Sequence, residues 1–193
     1  MTTEILSAIL TVCVSTMAWG IPDSAKTISS NGSHLLFQLK SSEERSQEKP
    51  KDVFAGVTNV LRKQTQVPPR LPNLALVYKD TSGLYAILEE VNSSHYFIQI
   101  ALSEDCADGT NCHGGSVIGS VEPISVKNGQ RIPVALHGGI KGFFVPADCG
   151  AHCDDSSINW KEGSFYYSIS LKAAKKGVMV RLANSAIEDH AGR

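Results

Sequence analysis

Cys106, Cys112, Cys149 and Cys153 fall into two short pairs, spaced C-x5-C and C-x3-C, with His113 after the first and His152 inside the second. Thiolates and imidazoles together can hold zinc, but zinc sites usually gather ligands as C-x2-4-C pairs, which the first pair does not match. Local disulfides are the better expectation, Cys106 with Cys112 and Cys149 with Cys153. Asp108, Gly109, Asn111 and Gly150 are turn formers that let each short loop close. A zinc site built on His113 and His152 stays open as the alternative, with no metal as the primary reading. Thiol-redox chemistry fits less well, because the usual C-x-x-C at a helix start is missing and C-x3-C lies among glycines.

Other reactive constellations fail on spacing. Gly114, Gly115 and Ser116 lack the G-x-S-x-G order of a nucleophile elbow. Glu89 and Glu90 are adjacent, so a regular strand sends them to opposite faces, where they cannot form a carboxylate pair. Gly138, Gly139 and Gly142 lack the G-x4-G-K-[ST] order of a phosphate loop and are expected to serve a turn and a close backbone approach. Asp154 and Asp155 alone supply too few oxygens for calcium. No cofactor is implied.

These residues need a scaffold, and 193 residues with 42% hydrophobic content can build one core plus tails. Eighteen basic against 19 acidic residues give a formal net charge of -1, which argues against nucleic acid as a partner and leaves an envelope protein or a small ligand. Residues 5–20, ILSAILTVCVSTMAWG, are uncharged and apolar, and they end on small residues at Ala18 and Gly20, as a signal peptide does. The start MTTE is acidic where such signals are normally basic. The run falls short of the roughly 20 residues of a membrane helix. Cys13 follows Val12, which is too large for a lipoprotein box. The expected organisation is a signal peptide over 1–20, a flexible tether over 21–52 and one disulfide-bearing domain over 53–193. An even cysteine count after removal of the signal suits an extracytoplasmic, oxidising location.

Within the tether, LLFQL at residues 35–39 is the one apolar interruption. Val53, Val57, Val60 and Leu61 recur at helical spacing after Asp52, an expected N-cap, and Pro68, Pro69 and Pro72 forbid continuation. Short alternating runs follow. Residues 83–91 and 95–102 flank Asn92, Ser93 and Ser94 as a hairpin, and residues 115–126 and 131–136 flank Asn128 and Gly129, the strongest short turn signal. Residues 140–145 are expected to pair with 158–161, and these with 164–171 through Glu162 and Gly163. Met179, Leu182, Ala183, Ala186 and Ile187 share one helical face. The expected fold is α+β, an antiparallel meandering sheet covered by a C-terminal amphipathic helix. Trp160, Tyr167, Leu182 and Ile187 are its expected core. Asn184 and Ser185 flank the helix stripe, placed to bond a loop carbonyl or each other's backbone.

RLPNL at 70–74, GGIKGFFVPADCGAHC at 138–153, INWKEGSFYYSISLK at 158–172 and LANSAI at 182–187 complete the pattern, with the first cysteine loop running into His113 and Gly114. Over residues 68–187 the chain resembles uncharacterised exported proteins, chiefly cyanobacterial, that share such a C-terminal module. Its ending is similar to the strand-Trp-hairpin-helix of extracytoplasmic domains in bacterial membrane-associated proteins of unknown function. The resemblance implies export and a sheet-plus-helix fold, and it carries no reaction or cofactor. The leading expectation is a noncatalytic extracytoplasmic binding or interaction module. An enzyme is the alternative, either a thiol oxidoreductase using Cys149 and Cys153 or a metal-dependent hydrolase using His113, His152 and Asp154. A structural packing domain of an envelope complex is the third.

Overall fold

The computed structural model describes residues 52–106, 112–126, 130–151 and 153–188. The signal expected over residues 1–20, the tether expected over 21–52 save for Asp52, the LLFQL run, His152, and Asn128 with Gly129 lie outside the described residues. Seven strands form one antiparallel sheet: β1 (Tyr85–Asn92), β2 (His95–Ala101), β3 (His113–Ser120), β4 (Ile132–Ala135), β5 (Lys141–Val145), β6 (Asp155–Glu162) and β7 (Phe165–Lys172). Two helices, α1 (Ala55–Gln64) and α2 (Lys176–Glu188), accompany them. The fold is α+β, with the C-terminal helix against the sheet.

Strand order is β1-β2-β3-β7-β6-β5-β4. The single meander therefore resolves into two, β1 to β3 and β4 to β7, joined where β3 pairs with β7. The hairpin expected around Asn128 and Gly129 does not form: β3 ends at Ser120, and β4 pairs with β5 at the far edge. The reason lies in competition for an edge. The side of β3 that the local hairpin would use is filled by β7, whose Ile169 and Tyr167 stand opposite Val117 and Gly119 and bury large apolar area. The chain must instead pass β7, β6 and β5 between Ser120 and Ile132, four strand spacings or about 19 Å.

The other hairpins form as expected, with the β6–β7 turn shifted to Gly163 and Ser164 because Glu162 still pairs with Phe165. Gly163 sits at φ +59, a conformation other side chains rarely adopt. A register shift between Leu88 and Glu90 breaks strict alternation, and Glu89 and Glu90 are both exposed on edge strand β1. Charge and bulge together discourage edge-to-edge pairing there.

One sheet face carries Tyr96, Ile98, Ile100, Val117, Phe144, Ile158, Trp160, Tyr167, Ile169 and Leu171, all buried. Against it pack Val57 and Leu61 of α1 and the predicted stripe of α2, Met179, Leu182, Ala183, Ala186 and Ile187. Asp52 is not the N-cap of α1. Phe54 holds that position, and the Asp52 carboxylate, two residues earlier, accepts from the Phe54 N–H at 3.1 Å. Residues 66–74 lie over the same face. Tyr167 Oη donates to the Pro68 carbonyl, Tyr96 Oη accepts from the Arg70 N–H, and Arg70 grips Glu162 with both its Nε and Nη2. Asn184 and Ser185 pin loops too, but by accepting: Asn184 Oδ1 takes the N–H of His137 at 2.8 Å and Ser185 Oγ that of Asn73 at 2.9 Å. Gly142 is the expected close approach, since a Cβ there would stand 2.8 Å from the Asn159 carbonyl oxygen. Gly138 and Gly139, at φ +66 and +76, make the expected turn.

Candidate functional site

Period-2 alternation sends the remaining side chains of β2, β3, β6 and β7 to the opposite face, which no helix among the described residues covers. At one end of that face the disulfides form as expected. Cys106 and Cys112 have Cα atoms 5.7 Å apart, and Cys149 and Cys153 4.1 Å apart. The second separation lies below the 4.4 to 6.8 Å of most disulfides because the two residues oppose each other in an antiparallel bridge, which already brings backbones close.

Beside the first disulfide lies a cluster that spacing did not disclose. His113 Nε2 meets Asp155 Oδ2 at 2.8 Å, Ser170 Oγ donates to the same oxygen at 2.8 Å, and Ser116 Oγ bonds Ser170 Oγ at 2.9 Å. Gln99 Nε2 reaches Cys106 Sγ at 3.4 Å and His113 Nδ1 at 3.5 Å. The sheet register aligns these groups: Gln99 opposes Ser116, Ser116 opposes Ser170, and Ser170 opposes Ser157 beyond it. His, Asp and Ser do not make a catalytic relay here. In a triad the imidazole stands between carboxylate and hydroxyl, whereas here Asp155 stands between His113 and Ser170. No base reaches either serine except through that carboxylate. Asp155 also raises the Tyr78 pKa, secondarily to burial of the phenol. Asp154, the carboxylate expected to work with His113, is exposed, and the neighbouring Asp155 takes the histidine instead. Among the described residues no three His, Cys, Asp or Glu side chains gather as a metal site.

At the other end of the face, about 13 Å along β6 from Asp155, the crossing chain encloses a hollow of about 400 Å³. Pro123, Ile124, Val126 and Arg131 of the connection form one wall. Lys141 and Phe143 of β5, Asn159 and Lys161 of β6 and Tyr166 of β7 form the other. The register builds this second wall directly, because Phe143 opposes Asn159 and Lys161 opposes Tyr166. Arg131 lies 5.0 Å over the Phe143 ring and Lys161 5.0 Å over the Tyr166 ring. Among the described residues no carboxylate lines the hollow. Asn159 is 4% exposed; its Nδ2 donates to Ser157 Oγ at 3.0 Å, and its Oδ1 has no hydrogen-bond partner among the described residues.

Sequence reasoning missed this hollow because it ran β3 straight through Ile124 and Val126 into a hairpin. A signal was present. Phe143, Asn159 and Tyr166 alternate against the buried Phe144, Trp160 and Tyr167, and rings on an outward face mark a surface that something covers. Set against protein-family models, curated proteins and solved structures, the chain matches none.

Proposed function

We propose that the domain is an exported, noncatalytic binding module whose ligand site is the hollow walled by Pro123, Ile124, Val126 and Arg131. The observation that carries this is the hollow itself. It is concave, of a volume typical of small-molecule sites, and lined by rings, aliphatic groups and a few convergent polar groups. His113 pairs with Asp155 instead of Asp154, which weighs against the metal-dependent hydrolase alternative, and Cys149 and Cys153 are bonded across an isolated bridge instead of at a helix start, which weighs against the thiol oxidoreductase. Export is supported by the apolar run ending at Ala18 and Gly20 and by two disulfides, which persist in oxidising compartments. No helix among the described residues is long and apolar enough to cross a membrane.

A fragment library added to isotopically labelled protein tests the site. Hits should move the amide resonances of Phe143, Asn159 and Tyr166 and leave those of Gln99 and His113 in place. Hits confined to the His113 end, or none at millimolar fragment, would overturn the reading. N-terminal sequencing of protein from an exporting host should begin near Ile21, and an intact Met1 in the cytoplasmic fraction would refute export.

A further inference from the structure

We infer that the hollow takes a small amphipathic anion, a carboxylate or phosphate carried on a flat aromatic body. This rests on the binding reading above and adds the ligand's chemical class. Arg131, Lys141 and Lys161 all line the hollow, and among the described residues none of them is ion-paired. In a chain with net charge -1, three uncompensated cations around one cavity are a local excess, and the cavity focuses their field.

Two of these cations are held by ring faces instead of by carboxylates. A ring quadrupole attracts a cation by only about 0.5 to 2 kcal/mol, so it orients the side chain without cancelling its charge. Arg131 over Phe143 and Lys161 over Tyr166 are thereby pre-positioned, which lowers the ordering cost when an anion arrives. The guanidinium supplies a planar fork that matches carboxylate or phosphate oxygens, and Lys141 and Lys161 supply point charges. The body of the ligand follows from the remaining lining. Phe143, Tyr166, Pro123, Ile124 and Val126 offer apolar and ring surfaces suited to a flat partner.

Four probes of one shape separate the outcomes: 2-naphthoate, 2-naphthyl phosphate, 2-naphthamide and 2-naphthylammonium. Each is titrated calorimetrically into the full disulfide-bonded chain at low and high salt, with amide resonances locating the site. The two anions should bind one to one at the hollow, at least about tenfold tighter than the amide or the ammonium, and should weaken with salt. Whichever anion binds tighter identifies the headgroup. Arg131→Gln should cost the anions about tenfold and leave the amide unchanged; Arg131 is exposed, so the variant should keep its melting temperature. Equal or tighter binding of the amide or ammonium at the hollow would overturn the anion assignment and leave the binding site standing. If no probe moved the hollow's resonances, both would fall.

Discussion

Trp160 is 3% exposed and stacks on Tyr167 with ring centroids 5.3 Å apart, yet its Nε1 has no hydrogen-bond partner among the described residues. A buried donor left unpaired costs stability, and the ring's burial must outweigh it. Trp160→Ala removes that burial and opens a cavity, so it should lower unfolding free energy by about 3 to 5 kcal/mol in urea titrations. Trp160→Phe keeps a ring against Tyr167 and deletes the orphan donor, so its loss should be smaller. A loss under about 1 kcal/mol for the alanine variant would contradict the packing described. The burial was legible in the sequence, since Ile158 and Trp160 alternate in step with Tyr167, Ile169 and Leu171. The orphaned indole edge was not, because period tells which face a side chain takes and nothing about what its edge meets.

Residues 66–74 act as a strap across the helix-bearing face, and two buried phenols hold it, Tyr167 at the Pro68 carbonyl and Tyr96 at the Arg70 N–H. Burial raises both phenols well above the ordinary tyrosine range. The sign follows by linkage: the folded state keeps these protons more tightly than the unfolded chain, so the stabilisation is complete below about pH 10 and declines as pH rises toward the folded values. Urea midpoints should therefore hold up to about pH 10 and fall as pH rises beyond it, and Tyr96→Phe and Tyr167→Phe should each flatten the fall. An unchanged slope in both variants would remove the phenols as its cause. Neither bond was readable beforehand, because Pro68 and Tyr167 are 99 residues apart and only the sheet brings them together. The elements show the same divide. The hairpin around Ser93 and Ser94 was legible because its pairing is local, whereas Asn128 and Gly129 misled because a local turn preference lost to the nonlocal burial of β3 against β7.

At the scale of the molecule, the two disulfides close loops at one end of the sheet while the core lies between the sheet and α2. With sequence separations of 6 and 4, each closes so short a loop that it removes little unfolded-state entropy, about 2 kcal/mol in the chain-closure model. Losing both would cost about 4 kcal/mol, against the roughly 5 to 15 kcal/mol by which domains are usually stable. Reduced protein should then keep its far-ultraviolet circular dichroism at 25 °C, with a lower urea midpoint. Its resonance changes should gather at Gln99, His113 and Asp155, because Gln99 links Cys106 to that cluster. The hollow, at the opposite end of β6, should bind its probes unchanged. Peptide mapping before reduction should recover Cys106 with Cys112 and Cys149 with Cys153, and a cross-loop pairing would contradict the geometry. Collapse of the secondary structure on reduction would show that the sheet and helices do not hold the fold by themselves. Loss of probe binding with the fold intact would show instead that the two ends of the open face are coupled through β6 and β7.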